Sequence, residues 1–289
     1  MEVGAEGERR GPNRDERDVP AAFLTGIFLA GVALATLLIG RGAFAVLATL
    51  LVVWAQGELF GVMVKHRHQP ATAVGLATGA LIMAGAYYHG QVAILAMFAL
   101  GVVATLLWYM AVPASHRKNV AQNIGLTLLS ISWIPVLGSF LVLILIRPDG
   151  KDLVITVVAL TFIFDTVAFL SGSVFGGQWI RRGLAPDTSP KKSVEGLLMA
   201  TAAVALAGAA LVPAFVNTFQ GKRIDALLLS LVIALAATFG DLAESLIKRD
   251  LQIKDMGAVL PGHGGVLDRI DSLLFVAPAA YLLLRVLFG

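Results

Sequence analysis

The dominant pattern along the chain is a series of apolar runs separated by short polar segments. A helix needs about 20 mostly apolar residues to cross the hydrocarbon layer of a bilayer. The sequence therefore predicts an all-α, polytopic membrane protein with about nine transmembrane helices. We place them at residues 21–40, 43–64, 71–89, 92–113, 122–146, 152–175, 195–217, 225–249 and 270–288.

The polar segments and one proline refine this pattern. Residues 1–20 are polar and have little to bury, which predicts a disordered tail. Pro135 lies inside the run 122–146, so this helix is predicted to be kinked or split. The rest divides into N-terminal membrane helices over 21–150 and a C-terminal membrane region over 151–289 that holds most of the candidate chemistry.

Composition supports a membrane protein and excludes several function classes. Of the 289 residues, 57% are hydrophobic and 14% are charged, whereas about 25% are charged in an ordinary soluble domain. The absence of cysteine excludes disulfides, thiolate catalysis and thiolate metal sites. No tract of basic residues interleaved with aromatics indicates nucleic-acid binding.

The distribution of lysine and arginine predicts the orientation in the membrane. Sixteen of the 22 basic residues fall in one set of tails and loops, which includes 1–20 and the connection around 250–269. Cytoplasmic loops carry an excess of such residues. We therefore expect the polar stretch from Ser245 to Asp271 to face the cytoplasm.

A polar stripe ends the predicted helix 225–249. Asp241, Glu244, Ser245 and Lys248 follow one another at helical spacing and share one face. An acid inside a span costs about 2.5–3.5 kcal/mol on insertion scales unless it is paired or hydrated. Glu244 and Lys248 could simply pair as residues i and i+4. That pairing leaves Asp241 unexplained, so metal or substrate binding is the hypothesis we favour for it.

The next helix is preceded by a glycine-rich segment, 261–265, and begins with Asp268, Arg269 and Asp271. Glycines let backbone N–H groups approach phosphate oxygens, and a helix start adds a favourable dipole. Two acids three residues apart present hard oxygen ligands on one face, which suits Mg²⁺. The alternative is a glycine-rich turn with a capping acid.

Three further sites carry polar side chains. Asp165 lies inside the apolar run 152–175, where an acid is either functional or the partner of a basic residue. The turn with Ser189, Lys191 and Lys192 either binds phosphates or anchors a helix at the membrane boundary. Glu58, inside the run 43–64, has no partner visible in the sequence, and its role is open.

This combination of acids, basic residues and glycine-rich turns, without a cysteine nucleophile or a Ser-His-Asp order, fits phosphoryl or nucleotidyl transfer. In such reactions, positioning and charge neutralisation do most of the work. Acids from different helices could hold Mg²⁺ against a triphosphate, while basic side chains neutralise the leaving group.

The segment between Asp165 and Asp271 resembles the phosphatidate cytidylyltransferases, also named CDP-diacylglycerol synthases. The matching positions are Asp165, Thr166, Gly172, the Ser-Pro-Lys-Lys turn at 189–192, Gly240, Asp241, Leu242, Glu244, Ser245, Lys248, Arg249, Lys254, Asp255, Gly257, Leu260, Pro261, His263, Gly264, Gly265, Asp268, Arg269, Ile270 and Asp271. Two positions depart from the family pattern: Val194 stands where tryptophan is usual, and Phe169 where tyrosine is common.

The resemblance implies the reaction of CTP with phosphatidate to give CDP-diacylglycerol and pyrophosphate, a step of phospholipid biosynthesis. It implies CTP, phosphatidate and membrane lipids as partners, Mg²⁺ as cofactor, and a bacterial inner (cell) membrane as location. A second ion such as K⁺ and assembly as a homodimer stay open. A CTP-dependent lipid kinase and an ion-coupled transporter are the alternatives; a CDP-alcohol phosphotransferase would show Asp-Gly and Ala-Arg pairs that this chain lacks.

Roles follow residue by residue from the same resemblance. The expected catalytic residues are Asp241, Asp268, Lys248 and His263. The expected metal ligands are Asp241, Glu244, Asp268 and Asp271. The expected substrate-binding residues are Lys191, Lys192, Ser189, Ser245, Arg249, Lys254, Gly264, Gly265, Arg269 and Asp165. His263 would orient a phosphate rather than act as a base, because a phosphate monoester already carries an anionic oxygen near neutral pH.

Overall fold

The computed structural model describes residues 19–116, 118–180, 183–190, 192–257 and 264–289. Within these ranges the chain is helical and forms no named β-strand. The α-helices are α1 Val19–Ile39, α2 Arg41–Lys65, α3 Thr72–His89, α4 Gln91–Ala111, α5 Val120–Ile131, α6 Leu137–Leu145, α7 Gly150–Phe175, α8 Val194–Phe215, α9 Arg223–Asp250 and α10 Leu267–Phe288. Short 3₁₀ turns lie at Ala114–His116 and Asn217–Phe219.

Eight of the predicted spans each lie on one of these helices and the span 122–146 lies on α5 and α6 together, with ends that agree to within three residues. In the described chain, seven helical stretches are long and apolar enough to cross a membrane: α2, α4, α5 with α6, and α7 to α10. The protein is therefore an integral membrane protein, and the predicted count of nine is approximate. Helices α1 and α3 are the two that fall outside this set. In α3, the terminal Tyr87, Tyr88 and His89 lower the mean hydropathy, and in α1 the apolar stretch Ala30–Ile39 is shorter than a membrane span.

The region around Pro135 shows how the predicted helix 122–146 accommodates its proline. Helices α5 and α6 are joined by a π-helical segment, Ser132–Val136, which contains the proline. A proline removes one backbone donor and crowds the preceding turn, and a π-bulge is a local way to absorb both effects. The run is therefore one continuous span, 120–145, with an altered hydrogen-bond register in its middle.

Close helix crossings build the part of the bundle that carries the candidate site. Helices α7, α8, α9 and α10 pack on one another, and α10 also packs on α6 and α2. At the α9–α10 crossing, a Cβ atom on Gly240 would lie 2.6 Å from the carbonyl oxygen of Asp271. Small residues allow such approaches between membrane helices. Large apolar side chains stay exposed on the outer faces, such as Leu95 on α4 and Leu206 on α8, as a lipid environment favours.

Because successive helices run in opposite directions, several helix ends lie together at one end of the bundle. The C-terminal ends of α2, α7 and α9 lie at the same end of the bundle as the N-terminal ends of α8 and α10. The predicted division at 150/151 stays a prediction, although α2 of the first region contacts α10 of the second. The predicted tail over 1–20 lies outside the described residues apart from Val19 and Pro20, which begin α1.

Candidate active site

Lys248 connects the last turns of α9 to the first turn of α10. Its Nζ lies 2.7 Å from Glu244 Oε2 and 2.9 Å from Asp268 Oδ1. The Glu244 and Asp268 side chains are only 1% and 5% exposed. The simple i, i+4 pair foreseen for Glu244 therefore exists, but the same ammonium group also crosses to the next helix. One lysine thus compensates two nearly buried acids.

Asp268 also holds the backbone that leads into α10. Its Oδ2 accepts hydrogen bonds from Gly265 N at 2.7 Å and from Met256 N at 3.0 Å. Gly264 has a positive φ of 77°, and a Cβ atom there would lie 2.8 Å from Asp268 Oδ2. The capping role offered as an alternative is present in the structure. These hydrogen bonds fix the position of Asp268. Its use as a metal ligand stays a proposal.

Asp241 forms the second ion pair of the region. Its Oδ2 lies 2.6 Å from Lys192 Nζ, which comes from the connection between α7 and α8. The Ser245 hydroxyl lies one turn further along α9, 3.5 Å from Asp241 Oδ1. The Asp241 side chain is 41% exposed, so this pair is open to a ligand in a way that the pairs of Lys248 are not.

Asp271 and Asp165 complete the acidic cluster. Ser272 links them, since its N–H donates to Asp271 Oδ1 at 2.8 Å and its hydroxyl donates to Asp165 Oδ1 at 3.3 Å. The Asp271 carboxylate is close enough to those of Asp165, Asp241 and Glu244 to repel them. Three helices, α7, α9 and α10, therefore deliver acids to one region, and Lys192 and Lys248 are the partners of its described ion pairs.

The acids of the cluster can be compared with the ligands that a divalent cation needs. In the described ranges, no three His, Asp or Glu side chains converge as a ready-made metal site. Mg²⁺ is usually bound by one or two carboxylates together with substrate phosphates and water, so a complete protein cage is not required. Glu244 Oε1 is buried and receives no hydrogen bond from a described donor, and the carboxyl group of Glu244 lies against that of Asp271. Two buried carboxyl groups this close fit a cation bound beside them.

The connection between α7 and α8 is held by a buried acid of α8. Glu195 is fully buried, and its Oε1 accepts hydrogen bonds from Trp179 N at 3.0 Å and Ile180 N at 2.8 Å. Ser193 caps the same helix by accepting from Gly196 N at 3.0 Å. These contacts fix the backbone beside Lys192, which precedes the cap.

Two further candidate residues, Ser189 and Arg249, lie in or against the same connection. Ser189 N donates to Ala185 O at 2.7 Å, and Lys192 N donates to Ser189 O at 3.2 Å, so the turn is tight. Arg249, exposed at the end of α9, donates from Nε to Thr188 O at 3.2 Å. The turn and the end of α9 are thereby tied together.

Some sequence-predicted residues are not placed in the cluster. His263 and Lys191 lie outside the described residues. Lys254 is exposed in the segment after α9, and Arg269 is exposed in the first turn of α10. Gly264 and Gly265 lie directly before α10, where the sequence placed them.

Glu58 of α2 has a partner that the sequence did not reveal. Its Oε1 accepts from Val266 N at 3.0 Å and its Oε2 accepts from Leu267 N at 2.9 Å, at the start of α10. Glu195 and Ser272 are further residues of the site to which the sequence analysis gave no role. An acid inside an apolar run was the signal that singled out Glu58. Its partner is backbone 208 and 209 residues away, which carries no residue-type signal.

Comparison with known proteins identifies the relatives of this chain. A model of the cytidylyltransferase family matches residues 20–287. The phosphatidate cytidylyltransferase of Mycobacterium leprae (strain TN) is 30% identical over 293 residues, which cover 95% of this chain and 90% of the relative. That of Helicobacter pylori (strain J99) is 33% identical over 201 residues, 69% of this chain and 68% of the relative. That of Synechocystis sp. is 42% identical over 110 residues, 38% and 37% of the two chains.

The resemblance seen between Asp165 and Asp271 is thus confirmed, and the match extends through the N-terminal helices as well. Because the family model covers nearly the whole chain and the M. leprae relative aligns along almost its full length, this chain belongs to the cytidylyltransferase family.

Proposed function

We propose that this protein is a phosphatidate cytidylyltransferase, which converts CTP and phosphatidate into CDP-diacylglycerol and pyrophosphate. The proposal rests on family membership and on the relatives that carry this name at 28–42% identity. One structural observation carries it further. Acids of α7, α9 and α10 and two lysines from separate elements meet at one end of a membrane bundle.

The chemistry suits this arrangement because nucleotidyl transfer needs little beyond positioning and charge neutralisation. An oxygen of the phosphatidate phosphate attacks the α-phosphorus of CTP. The new P–O bond forms as the bond between the α-phosphorus and the bridging oxygen breaks, and pyrophosphate leaves with the bonding electrons. The attacking oxygen is already anionic, so no general base has to remove a proton.

The lysines would act on the charge that moves in this step. Lys192 lies on the exposed Asp241 and is placed to turn toward an incoming phosphate. Lys248 is held by Glu244 and Asp268, which fixes its ammonium group within the cluster. Fixed positive charge beside a developing anion lowers the barrier without further reorganisation. Arg249, Lys254 and Arg269 lie at the same end of the bundle as further candidates for phosphate contacts.

Mg²⁺ is the cofactor that the cluster fits best. When bound, it would supply positive charge that neutralises the phosphates of the substrates. Asp241 and Asp268 are the first candidates to hold it, with Asp271 and Glu244 next. The buried Glu244 supports this assignment because its carboxyl group lies against that of Asp271.

We place the protein in the bacterial inner membrane, with the cluster facing the cytoplasm. The preference of basic residues for cytoplasmic loops supports this orientation, and so does the supply of CTP, which is a cytoplasmic metabolite. Phosphatidate would enter from the lipid around the bundle, so that its headgroup reaches the cluster at the membrane boundary.

The products of the reaction test the proposal. Purified protein in lipid nanodiscs, given CTP, phosphatidate and Mg²⁺, is expected to release pyrophosphate and to form CDP-diacylglycerol in equal amounts. A CTP-dependent lipid kinase would release CDP and a phosphorylated lipid instead. An ion-coupled transporter would consume no CTP. Release of CDP, or no CTP turnover by protein that is monodisperse and folded, would overturn the assignment.

A further inference from the structure

Glu58 lies on α2, far in sequence from the acids of the cluster, yet both of its carboxylate oxygens are bound to the backbone that begins α10. Oε1 accepts from Val266 N at 3.0 Å, and Oε2 accepts from Leu267 N at 2.9 Å. The first N–H groups of a helix have no partner within that helix, and a negative charge there is favourable. Glu58 therefore caps α10 from another helix.

The same carboxylate is enclosed by two glycines of the signature segment. A Cβ atom on Gly257 would lie 2.6 Å from Glu58 Oε1 and 2.9 Å from the Cα atom of Gly265. A Cβ atom on Gly265 would lie 2.7 Å from Glu58 Cδ and would also clash with Oε2. Neither position has room for a side chain while Glu58 is in place. Glu58 thus packs against both Gly257 and Gly265.

Asp268 is connected to Glu58 through three consecutive amides. Gly265 N donates to Asp268 Oδ2 at 2.7 Å, while the next two amides donate to Glu58. Asp268 in turn contacts Lys248 at 2.9 Å. A shift at the start of α10 would therefore move Asp268 and Lys248 together.

We propose that Glu58 is a positioning residue of the transferase, which acts through the start of α10 on Asp268 and Lys248 and does not touch substrate. The proposal rests on the proposed function for its effect on rate, but the contact it invokes is independent of that function. A misplacement of about 1 Å in a reacting group can cost on the order of 100-fold in rate. The alternative is a helix pin, which means that Glu58 stabilises the start of α10 without affecting catalysis.

Two substitutions of graded severity test it. Glu58→Gln keeps the length and one acceptor oxygen, but its NH₂ group faces one of the two amides; Glu58→Ala removes both acceptors. Asp149→Asn is the matched control, because it removes a carboxylate whose described partner, the Thr218 hydroxyl at 2.5 Å, lies at the opposite end of the bundle. Each protein is purified in detergent, and kinetics are measured on its monodisperse fraction.

Hydrogen exchange read by mass spectrometry reports the contact, and kcat and KM report its effect. We expect faster exchange in peptides that contain Val266 and Leu267, in the order wild type, Glu58→Gln, Glu58→Ala. We expect kcat to fall about tenfold or more in Glu58→Gln, with KM for CTP changed less than about threefold. Asp149→Asn should match wild type in both readouts.

Three outcomes would overturn the proposal. Unchanged exchange in Glu58→Gln means that the cap is absent. Faster exchange with kcat within about twofold of wild type means that Glu58 is a pin only. Lost activity with unchanged exchange means that Glu58 acts by another route. If Glu58→Ala does not fold, Glu58→Gln alone decides, and a wild-type protein that is inactive with CTP and phosphatidate refutes the proposed function while exchange still reports the cap.

Discussion

At the scale of single residues, two lysines stabilise acids of the cluster, and each of them reaches an acid of another element. Lys248 lies between Glu244 and Asp268, and Lys192 reaches Asp241 from a separate connection. A buried charge is tolerated when it is paired, but removing one partner leaves the other uncompensated. Lys248 therefore contributes to folding as well as to the proposed chemistry.

Substitution of Lys248 by methionine should destabilise the protein strongly. Glu244 and Asp268 would both lose their ammonium partner while remaining almost inaccessible to water. Breaking a buried pair in this way costs about 3–5 kcal/mol. Chemical unfolding in detergent should show this loss, whereas Lys65→Met, at an exposed position of α2, should unfold like wild type. Equal stability of the two variants would contradict the central position of Lys248.

At the scale of helices, the site depends on close approach between neighbours. Gly240 lies where α9 crosses α10, one residue before Asp241 and against the backbone of Asp271 and Ser272. Glu195 and Glu58 fix the two connections that carry Lys192 and the start of α10. The acids keep their mutual positions because both the helix crossings and the connections are fixed.

A methyl group at Gly240 should separate α9 from α10. Its carbon would lie 2.6 Å from Asp271 O and 2.9 Å from Ser272 Cα, and backbone cannot give way as a side chain can. Overpacking of this kind costs about 1–3 kcal/mol. Gly240→Ala should therefore lower both the unfolding free energy and the transferase rate. Gly125→Ala on α5, where no atom lies within 4 Å of the added carbon, is the control, and equal behaviour of the two would refute the crossing geometry.

The helices were predictable because each apolar run is long and is bounded by polar residues. Helical spacing also placed Asp241, Glu244, Ser245 and Lys248 on one face of α9 correctly, since spacing is a local property. The partner of Glu58 was not predictable, because a carboxylate bound to backbone N–H groups leaves no trace in the partner's residue type. The bridge from Lys248 to Asp268 also depends on how α9 and α10 cross, which the spacing along either helix does not specify.

At the scale of the whole molecule, the two ends of the bundle have different character. One end carries the acidic cluster and the connections that hold it. At the other end, Arg41 Nη2 donates to Pro148 O at 2.5 Å, Arg285 Nη1 donates to Gln91 Oε1 at 2.8 Å, and Lys222 Nζ lies 4.3 Å from the centre of the Phe288 ring. These three basic side chains are engaged in helix contacts, whereas Lys192 and Lys248 pair with the acids at the cluster end.

This asymmetry predicts which positions an impermeant maleimide can reach. The chain has no cysteine, so single cysteines can be introduced without background labelling. Asp187→Cys, exposed in the connection before α8, should be labelled only in inverted vesicles. Gln220→Cys, exposed before α9 at the other end, should be labelled on intact cells. The reverse pattern would overturn the cytoplasmic placement of the cluster.

The proposed role of the acidic cluster is tested most directly by the Asp268→Asn variant. The measurement is the transfer of label from α-³²P CTP to phosphatidate. This substitution keeps the size of the side chain but removes the charge that faces Lys248 and, by the proposal, Mg²⁺. We expect a loss of at least about 100-fold in kcat for protein that stays inserted and monodisperse, while Asp149→Asn transfers label at the wild-type rate. Wild-type transfer by folded Asp268→Asn would contradict the assignment of the cluster as the site of cytidylyl transfer.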